Sequence, residues 1–185
     1  METQVHVPMS ELEARIDYVR QSPWDQGAVK MIVRRPQDDL REVVEEAELS
    51  LTDGLVGDNW KTRGSKHMPD GSANPDAQIT VMNARCIELL AQSTERWSLA
   101  GDQLFVDFSL SEEHVPPGTR LAIGSAILEV SAVPHSGCRK FSDRFGVEAL
   151  KFVNSPEGKQ LHLRGINTKV VQAGTVRVGD TVKKL

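Results

Sequence analysis

Short runs of apolar and β-branched residues, separated by glycine turns, occupy the second half of the chain. Residues 118–124 (GTRLAIG) resemble residues 174–179 (GTVRVG), and each is followed by a small or acidic residue and another strand-like run. Glycine permits the backbone conformations of tight turns, so both stretches are predicted to approach a hairpin at a barrel rim. Several short strands with few helical patterns favour a β-barrel over a parallel α/β sheet. The predicted fold class is therefore mainly β, a barrel with a few peripheral α-helices.

A chain of 185 residues is long enough for one well-packed domain. Surface scaling implies that roughly 70% of the unfolded chain's surface is buried on folding. The sequence shows no internal boundary, so residues 1–185 are predicted to form a single domain. Residues 1–23 are predicted to be an N-terminal helical extension, in which Ser10 and Glu13 form a capping box and Pro23 ends the helix.

The first half of the chain gives local patterns of unequal clarity. Residues 27–33 and 78–82 are predicted strands, and Asn83 is placed to cap the helix that follows. Residues 39–49 carry apolar residues at helical spacing, but the segment is short and stays ambiguous. Residues 52–75 hold four glycines and two prolines and are predicted to form a long loop. Such a loop in a compact domain is often functional.

Charge and cysteine content exclude several classes of protein. The net charge of −4 argues against a general nucleic-acid-binding protein, which carries a basic excess. Two cysteines are too few for a disulfide framework or a four-thiolate zinc site. The N-terminus has no signal-peptide pattern and no apolar run reaches membrane-span length, so a cytoplasmic protein without a membrane partner is expected. In that reducing environment Cys86 and Cys138 are expected to be free thiols.

Residues 134–141 (PHSGCRKF) concentrate the groups that carry chemistry. A strand-like run ends before them and a helical pattern follows, so with Ser136 as helix cap Cys138 is predicted to lie in the first helical turn. The helix dipole and the neighbouring cations, with His135 nearby, would then favour a reactive thiolate. The alternative is that Cys138 is a small buried residue at a strand–helix junction. Cys86, on an apolar helix face, is predicted to belong to the core.

Other polar motifs in the chain are weaker. Arg144 and Arg164 would form an oxyanion pocket if the fold brought them together near Cys138, because guanidinium groups bind phosphate in a bidentate manner. The alternative is that both are solvated surface charges. The turn at residues 54–60 lacks the glycine spacing of nucleotide-binding loops. No zinc-finger spacing, HExxH helix or serine-nucleophile elbow occurs, and His135 with Cys138 is the nearest approach to a pair of metal ligands.

A series of these motifs, taken in order, resembles the MOSC domain family. The motifs are GLVGD at 54–58, QITVMN at 78–83, GTRLAIG at 118–124, PHSGC at 134–138, RFG at 144–146 and LRGINTKVVQAGTVRVGD at 163–180. MOSC names the C-terminal domain of molybdenum cofactor sulfurases, which also occurs as a stand-alone bacterial protein. The resemblance covers a core of about residues 29–182 and is specific as a set, although each motif is weak alone.

The resemblance implies a strongly curved barrel with a central role for Cys138. The matching cysteine of the family is proposed to carry sulfur or to bind the molybdenum of the cofactor, and His135 is the candidate catalytic residue beside it. The pterin of the cofactor carries a phosphate, and the loop at 52–75 is a candidate cover for its pocket. The positions proposed for cofactor binding are Arg144, Arg164, Lys140, Asp58 and Asn83. Many members place a histidine directly after the GD turn; Asn59 stands there in this chain, so that role is not carried over.

The resemblance leaves more than one function open. One is sulfur transfer to the molybdenum cofactor with a cysteine desulfurase as partner; another is cofactor-dependent reduction of N-hydroxylated compounds. No flavin, haem or iron–sulfur motif is present, so a reductase would need a redox partner. Pyridoxal phosphate, found in fused sulfurases, is not expected to bind because the chain has no room for their aminotransferase-like domain. The alternative to an enzyme, whether oxidoreductase or sulfur transferase, is a non-catalytic module that binds a small anion.

Overall fold

Short strands dominate the computed structural model, which describes residues 6–185. The strands are β1 (Gln26–Arg34), β2 (Glu42–Val44), β3 (Glu46–Ser50), β4 (Gly54–Leu55), β5 (Ile79–Asn83), β6 (Leu104–Asp107), β7 (Arg120–Ile123), β8 (Ala126–Val130), β9 (Ile166–Gln172), β10 (Gly174–Arg177) and β11 (Thr181–Lys184). The α-helices are α1 (Met9–Ala14), α2 (Ile16–Arg20), α3 (Trp60–Arg63), α4 (Ala84–Ala91), α5 (Arg139–Phe145), α6 (Val147–Asn154) and α7 (Pro156–Gln160). This content confirms the predicted fold class.

Seven of the strands close into a barrel. Their order around the ring is β11, β7, β8, β9, β5, β6 and β1, and β1 pairs in turn with β11. The nine residues of β1 make closure possible, because its start pairs with β11 through Gln26↔Lys183 while β6 pairs with its middle. A register shift between Val29 and Met31 marks a bulge, which bends β1 into the curve of the barrel.

A crossover connects β5 to β6, which run parallel. It consists of α4 and a 3-10 segment at Thr94–Ala100, after which the chain enters β6. Asn83 ends β5 and caps α4, because its side-chain oxygen accepts a hydrogen bond from the Cys86 backbone N–H at 3.1 Å. The predicted cap is thus confirmed, and Cys86 is fully buried as predicted.

The barrel wall separates two apolar cores. Successive residues of a strand point to opposite faces, so Leu104 and Val106 of β6 pack inside the barrel whereas Phe105 packs outside it. The outer core also contains Phe141 and Phe145 of α5. Burial of these rings against the barrel fixes α5, and therefore the loop before it, on the outer surface of the sheet.

β3, β4 and β10 form a separate three-stranded sheet. The ambiguous segment 39–49 is therefore strand and not helix, with Ala47 and Leu49 buried at alternate positions of β3. The hairpin predicted around residues 174–179 is wrong, because β10 pairs with β3 while β11 pairs with β1 and β7. The matching stretch at 118–124 does lead into a hairpin of β7 and β8. Similar sequences enter different pairings because packing against neighbouring strands decides the partner.

Two short helices, α1 and α2, stand where the sequence predicts one N-terminal helix. Ser10 lies inside α1, and the N-cap is Pro8 without a side-chain hydrogen bond, so the predicted capping box is wrong. Residues 1–5 of the predicted extension lie outside the described residues. Within residues 6–185, no helix has the length and apolar character needed to cross a membrane.

The predicted long loop at residues 52–75 contains two short elements, β4 and α3. It folds back on itself where Gly64 has a φ of +67° and a Cβ would lie 2.2 Å from the Gly71 carbonyl oxygen. Only glycine combines this conformation with such a close approach. Before this fold-back, Asn59 is the N-cap of α3 and lies near the end of β1. Its backbone N–H donates to the Arg35 carbonyl at 2.8 Å.

Candidate functional site

Two asparagines hold the loop that precedes α5. Asn167 of β9 donates from Nδ2 to the carbonyl oxygens of Val133 at 3.1 Å and Pro134 at 3.2 Å. Asn154 of α6 accepts from the Gly137 N–H at 2.9 Å and donates to the Gly137 carbonyl at 3.2 Å. These bonds satisfy backbone groups that belong to no helix or strand, so the loop has a defined conformation.

Cys138 ends this loop as the N-cap of α5, and its side chain is exposed. The predictions that Ser136 caps the helix and that Cys138 lies in the first turn are therefore wrong, because the helix begins at Arg139. The alternative of a buried cysteine is also wrong. Among the described residues no group of three or more His, Cys, Asp or Glu side chains is arranged to hold a metal ion. Cys138 is thus an accessible thiol on a positioned loop.

A buried carboxylate links His135 to Arg164. Asp102, whose side chain is fully buried, lies two residues before the start of β6. His135 Nε2 is 2.9 Å from Asp102 Oδ1, and Arg164 Nη1 donates to Asp102 Oδ2 at 2.5 Å. Arg164 also donates from Nη2 to the Ala100 carbonyl at 2.9 Å, and its guanidinium lies 4.9 Å from the centre of the Phe141 ring. The three charged or polar side chains form one compact unit, the Asp102–His135–Arg164 triad.

The electrostatics of the triad fix its protonation. Burial alone raises the pKa of Asp102, but the charge of Arg164 and the hydrogen bonds from Arg164 and His135 outweigh it and lower the pKa to about 2. Burial and the charge of Arg164 lower the pKa of His135, against the opposing effect of Asp102. His135 is therefore neutral near pH 7, with Nε2 assigned as the protonated nitrogen because it faces a carboxylate. Its Nδ1 is left as a hydrogen-bond acceptor.

Arginines from three parts of the chain converge on residues 99–101, just before Asp102. Arg144 donates to the Leu99 carbonyl at 2.7 Å, and Arg35 donates to the Gly101 carbonyl at 2.9 Å, on either side of the Arg164 bond to Ala100. The sequence-predicted Arg144 and Arg164 thus do approach each other. Their guanidinium groups are nevertheless engaged by protein oxygens.

Arg35 is neutralised by Asp58, whose side chain is fully buried. Both oxygens of Asp58 accept from the guanidinium at 2.8 Å, and Oδ1 also accepts from the Trp60 N–H at 3.0 Å. Asp58 therefore anchors the GD turn to the end of β1. Asn83 is likewise occupied, because Nδ2 donates to Ser22 Oγ at 2.8 Å and to the Phe108 carbonyl at 3.0 Å besides the capping bond.

Beside Arg35 lies a cavity of about 260 Å³, here called the cationic cleft. Its lining residues are Arg35, Gln37, Asp38, Asp39, Arg41, Asn59, Arg63 and Lys140. Asp39 accepts from Lys140 at 3.5 Å and from Arg144 at 3.3 Å, so its charge is already matched. Arg41 and Arg63 form no ion pair with any residue in the described range 6–185. Asp38, which accepts from Asn59 Nδ2 at 3.2 Å, contributes one negative charge, so Arg41 and Arg63 leave the cleft with a net positive charge.

Two polar atoms in the cationic cleft are buried without a partner in the described part of the chain, Arg41 Nε and Asn59 Oδ1. Burial lowers the pKa of Arg41, and the charges of Arg144 and Arg35 lower it further. An unpartnered donor and an unpartnered acceptor each cost free energy in the absence of a ligand. The cleft is thus suited to an anion that also presents an N–H or O–H group.

Reasoning from sequence missed most of the cleft and one member of the triad. Arg35, Arg41, Arg63 and Asp102 were not singled out, although Arg35 and Asp102 each border an apolar strand, where a charged residue needs a partner. Their partners lie far along the chain; Asp102 and Arg164, for example, are separated by 62 positions in the sequence. The spacing of residues along the sequence cannot reveal pairs that are so far apart.

The fold and the site together define a β-barrel protein that presents an accessible thiol two residues before Lys140 of a cationic cleft. The profile of the MOSC domain family matches residues 66–183, more than half of the chain, and the chain belongs to this family. The resemblance of the sequence motifs is thereby confirmed. No curated protein matches the chain.

Several solved structures share the fold. The YuaD protein from Bacillus subtilis has a TM-score of 0.64 and 14% identity, over 86% of this chain and 95% of that chain. YiiM from Escherichia coli has a TM-score of 0.54 and 19% identity, over 85% and 69%. YiiM from Geobacillus stearothermophilus has a TM-score of 0.59 and 14% identity, over 86% and 75%. At these identities the similarity concerns the fold alone.

Proposed function

We propose that this protein binds the molybdenum cofactor in the cationic cleft, with Cys138 as the thiolate that reaches the metal. The observation that carries the proposal is the unpartnered pair in the cleft, Arg41 Nε and Asn59 Oδ1. A pterin with a phosphate group has both the anionic oxygens that Arg41 needs and the ring N–H donors that Asn59 needs. The residues present therefore fit the cofactor associated with the family.

Each residue of the cleft has a distinct role in this proposal. Arg41 and Arg63 bind the phosphate, since neither forms an ion pair with an acid of the described chain. The Arg35–Asp58 pair is buried and holds the GD turn in place, which positions Asn59. Bound there, the cofactor supplies a molybdenum centre for oxygen or sulfur exchange, and a cysteine thiolate is a soft donor that suits such a metal.

Exposure of Cys138 favours sulfur transfer as the activity. The Cys138 thiolate attacks the terminal sulfur of a persulfide on a cysteine desulfurase. The S–S bond of the donor breaks, a new S–S bond forms on Cys138, and the donor cysteine leaves as a thiolate. A thiol on an exposed loop is accessible to such a partner protein. Reduction of N-hydroxylated compounds is the other candidate activity, and it requires a redox partner.

Cofactor content tests the binding proposal directly. The protein purified from a host that makes the cofactor should contain molybdenum and a fluorescent pterin. Arg41→Gln should lose both, whereas Cys138→Ser should retain pterin with less molybdenum. Arg177→Gln, which removes an exposed cation paired with Glu46 outside the cleft, is the matched control. Wild-type protein free of metal and pterin, or an Arg41→Gln variant with unchanged pterin, would reject the proposal.

Mass spectrometry separates sulfur transfer from other roles. After incubation with a cysteine desulfurase and cysteine, one added sulfur atom is expected on Cys138, and none on the fully buried Cys86. Cys138→Ser should remain unmodified, and Cys86→Ser should behave as wild type. If wild-type protein stays unmodified but loads cofactor, reductase chemistry is favoured. If it binds phosphate but never the cofactor, the protein is a small-anion module.

A further inference from the structure

A second cavity lies against the Asp102–His135–Arg164 triad. Its volume is about 390 Å³, and we call it the apolar cleft. Its apolar lining residues are Pro117, Val130, Ala132, Val133, Pro134, Val153 and Ile166. His135 and Arg164 also line it, so two members of the triad meet an otherwise mainly apolar surface. Cavities of this size and character are typical of sites for small molecules.

Arg164 and His135 of the triad each have one hydrogen-bonding atom without a partner in residues 6–185. Arg164 is 7% exposed, and its Nε is buried without a partner in residues 6–185. His135 bonds Asp102 through Nε2, and no described residue bonds its Nδ1. With Nε2 protonated, Nδ1 is an acceptor, whereas Arg164 Nε–H is a donor. Both side chains bind Asp102, and both residues line the apolar cleft.

The charges around the apolar cleft favour a neutral ligand. Asp102 neutralises Arg164, and burial together with the charge of Arg164 lowers the pKa of His135 and keeps it uncharged. The other titratable residues of the lining are Glu112, Lys159 and His162, of which the first two are exposed and opposite in charge. His162 is already bonded through Nδ1 to the Leu110 carbonyl. The exposed charges of Glu112 and Lys159 are opposite in sign, so the lining residues give this cleft no net charge that would favour an ion.

We propose that the apolar cleft binds a neutral molecule with an apolar body and a primary carboxamide group. The amide oxygen accepts from Arg164 Nε–H, and the amide N–H donates to His135 Nδ1. A carboxylate has no N–H for His135 and would place a charge beside ionised Asp102, while a ketone leaves Nδ1 unpaired. The site is distinct from the cationic cleft and does not require the cofactor.

Benzamide is the probe for this site. Saturation-transfer and two-dimensional NMR with the cofactor-free protein should show saturable binding with a dissociation constant of about 1 mM, which is ordinary for a ligand of this size. The ring signals of His135 should shift during the titration. Benzoate and acetophenone, which have the same ring but lack the neutral amide, should bind at least about 10-fold more weakly, because each leaves a polar group unpaired.

Two variants locate the probe. His135→Phe removes the acceptor and should weaken benzamide binding about 10-fold without a similar effect on acetophenone. Ala132→Trp fills the cleft from its exposed rim and should abolish binding, whereas Val43→Trp, exposed outside the lining, should not. No saturable benzamide binding to wild-type protein, equal binding of benzoate, or an Ala132→Trp variant that binds normally would overturn the proposal. Because no cofactor is present, these outcomes are independent of the cofactor-content test.

Discussion

Each cleft is lined by an arginine that donates to residues 99–101, Arg164 in the apolar cleft and Arg35 in the cationic cleft, but the charges of the two clefts are balanced differently. Arg164 lines the apolar cleft, bonds the Ala100 carbonyl and is neutralised by Asp102. Arg41 lines the cationic cleft and has no acid partner in the described chain. A matched buried charge supports the folded state, whereas an unmatched one costs stability and favours a ligand. The difference indicates that Arg41 is suited to an anionic ligand and Arg164 to a neutral one.

Removal of the Asp102 charge should cause the largest loss of stability among the variants that compare the two clefts. Asp102→Asn leaves Arg164 buried without a counter-charge, and loss of one partner from a buried ion pair typically costs about 3 to 5 kcal/mol. Urea unfolding followed by circular dichroism measures the change. Asp39→Asn removes an exposed acid that also pairs with an arginine, and it should cost less than about 1 kcal/mol. Equal losses in the two variants would mean that burial does not distinguish the clefts.

Acid should lower the stability of the protein through the two titrating residues of the triad, Asp102 and His135. The pKa of Asp102 falls from 3.8 to about 2 on folding, so its contribution of roughly 2 kcal/mol is present above pH 3.8 and lost as the pH approaches 2. The pKa of His135 is lowered from 6.5, so stability also falls once the pH drops below 6.5 and protonation favours the unfolded state. Both effects act in the same direction.

Urea midpoints between about pH 7 and pH 2 measure this loss. Asp102→Asn removes the carboxyl titration and should flatten the acid part of the profile. A midpoint that stays constant or rises on acidification of the wild-type protein would contradict the assigned protonation of the triad.

Removal of Arg41 should show the opposite behaviour to removal of Asp102. Arg41→Gln relieves repulsion from Arg144 and Arg35, so stability should stay within about 1 kcal/mol of wild type, on the stabilising side. Phosphate binding to the cofactor-free protein should weaken about 10-fold, because a charge-assisted hydrogen bond is lost. Isothermal titration with inorganic phosphate measures this loss. A strongly destabilised Arg41→Gln variant would assign Arg41 to the fold.

Salt should produce the smallest effect, and only on one cleft. Between about 0.05 M and 0.5 M sodium chloride, phosphate affinity for the cationic cleft should fall several-fold as its charges are screened. Benzamide affinity for the apolar cleft should change less than about 2-fold, because no net charge is involved. Parallel titrations on one protein sample give both values. Similar salt dependence of the two ligands would remove the electrostatic distinction.

Local features of the fold could be predicted because each depends on nearby residues. The Asn83 cap and the β7–β8 hairpin were predicted from a few adjacent positions, and both are confirmed. The segment 39–49 stayed ambiguous and the second predicted hairpin is wrong, because both structures depend on distant partners, namely β10 for β3 and β3 for β10. The predicted capping box at Ser10 is wrong because the helix begins earlier, at Met9, with Pro8 as its N-cap.

The residues of the candidate site also fall into those that the sequence revealed and those that it did not. Cys138, His135 and Lys140 were singled out from one short motif, and the exposure of Cys138 agrees with a thiol available for chemistry. The partners that give the site its electrostatics were missed, because Asp102 and Arg41 are remote in sequence from that motif. Their charges matter only after burial brings them together.

The sequence by itself determined that the chain is a mainly β protein of the MOSC family with one thiol in a basic, turn-forming segment. Only the tertiary structure decided that Asp102 neutralises the charge of Arg164, while the charge of Arg41 has no paired acid in the described chain. The reason is physical. Strand and turn preferences act between neighbours along the chain, whereas the neutralisation of a buried charge depends on which distant side chain folding places against it.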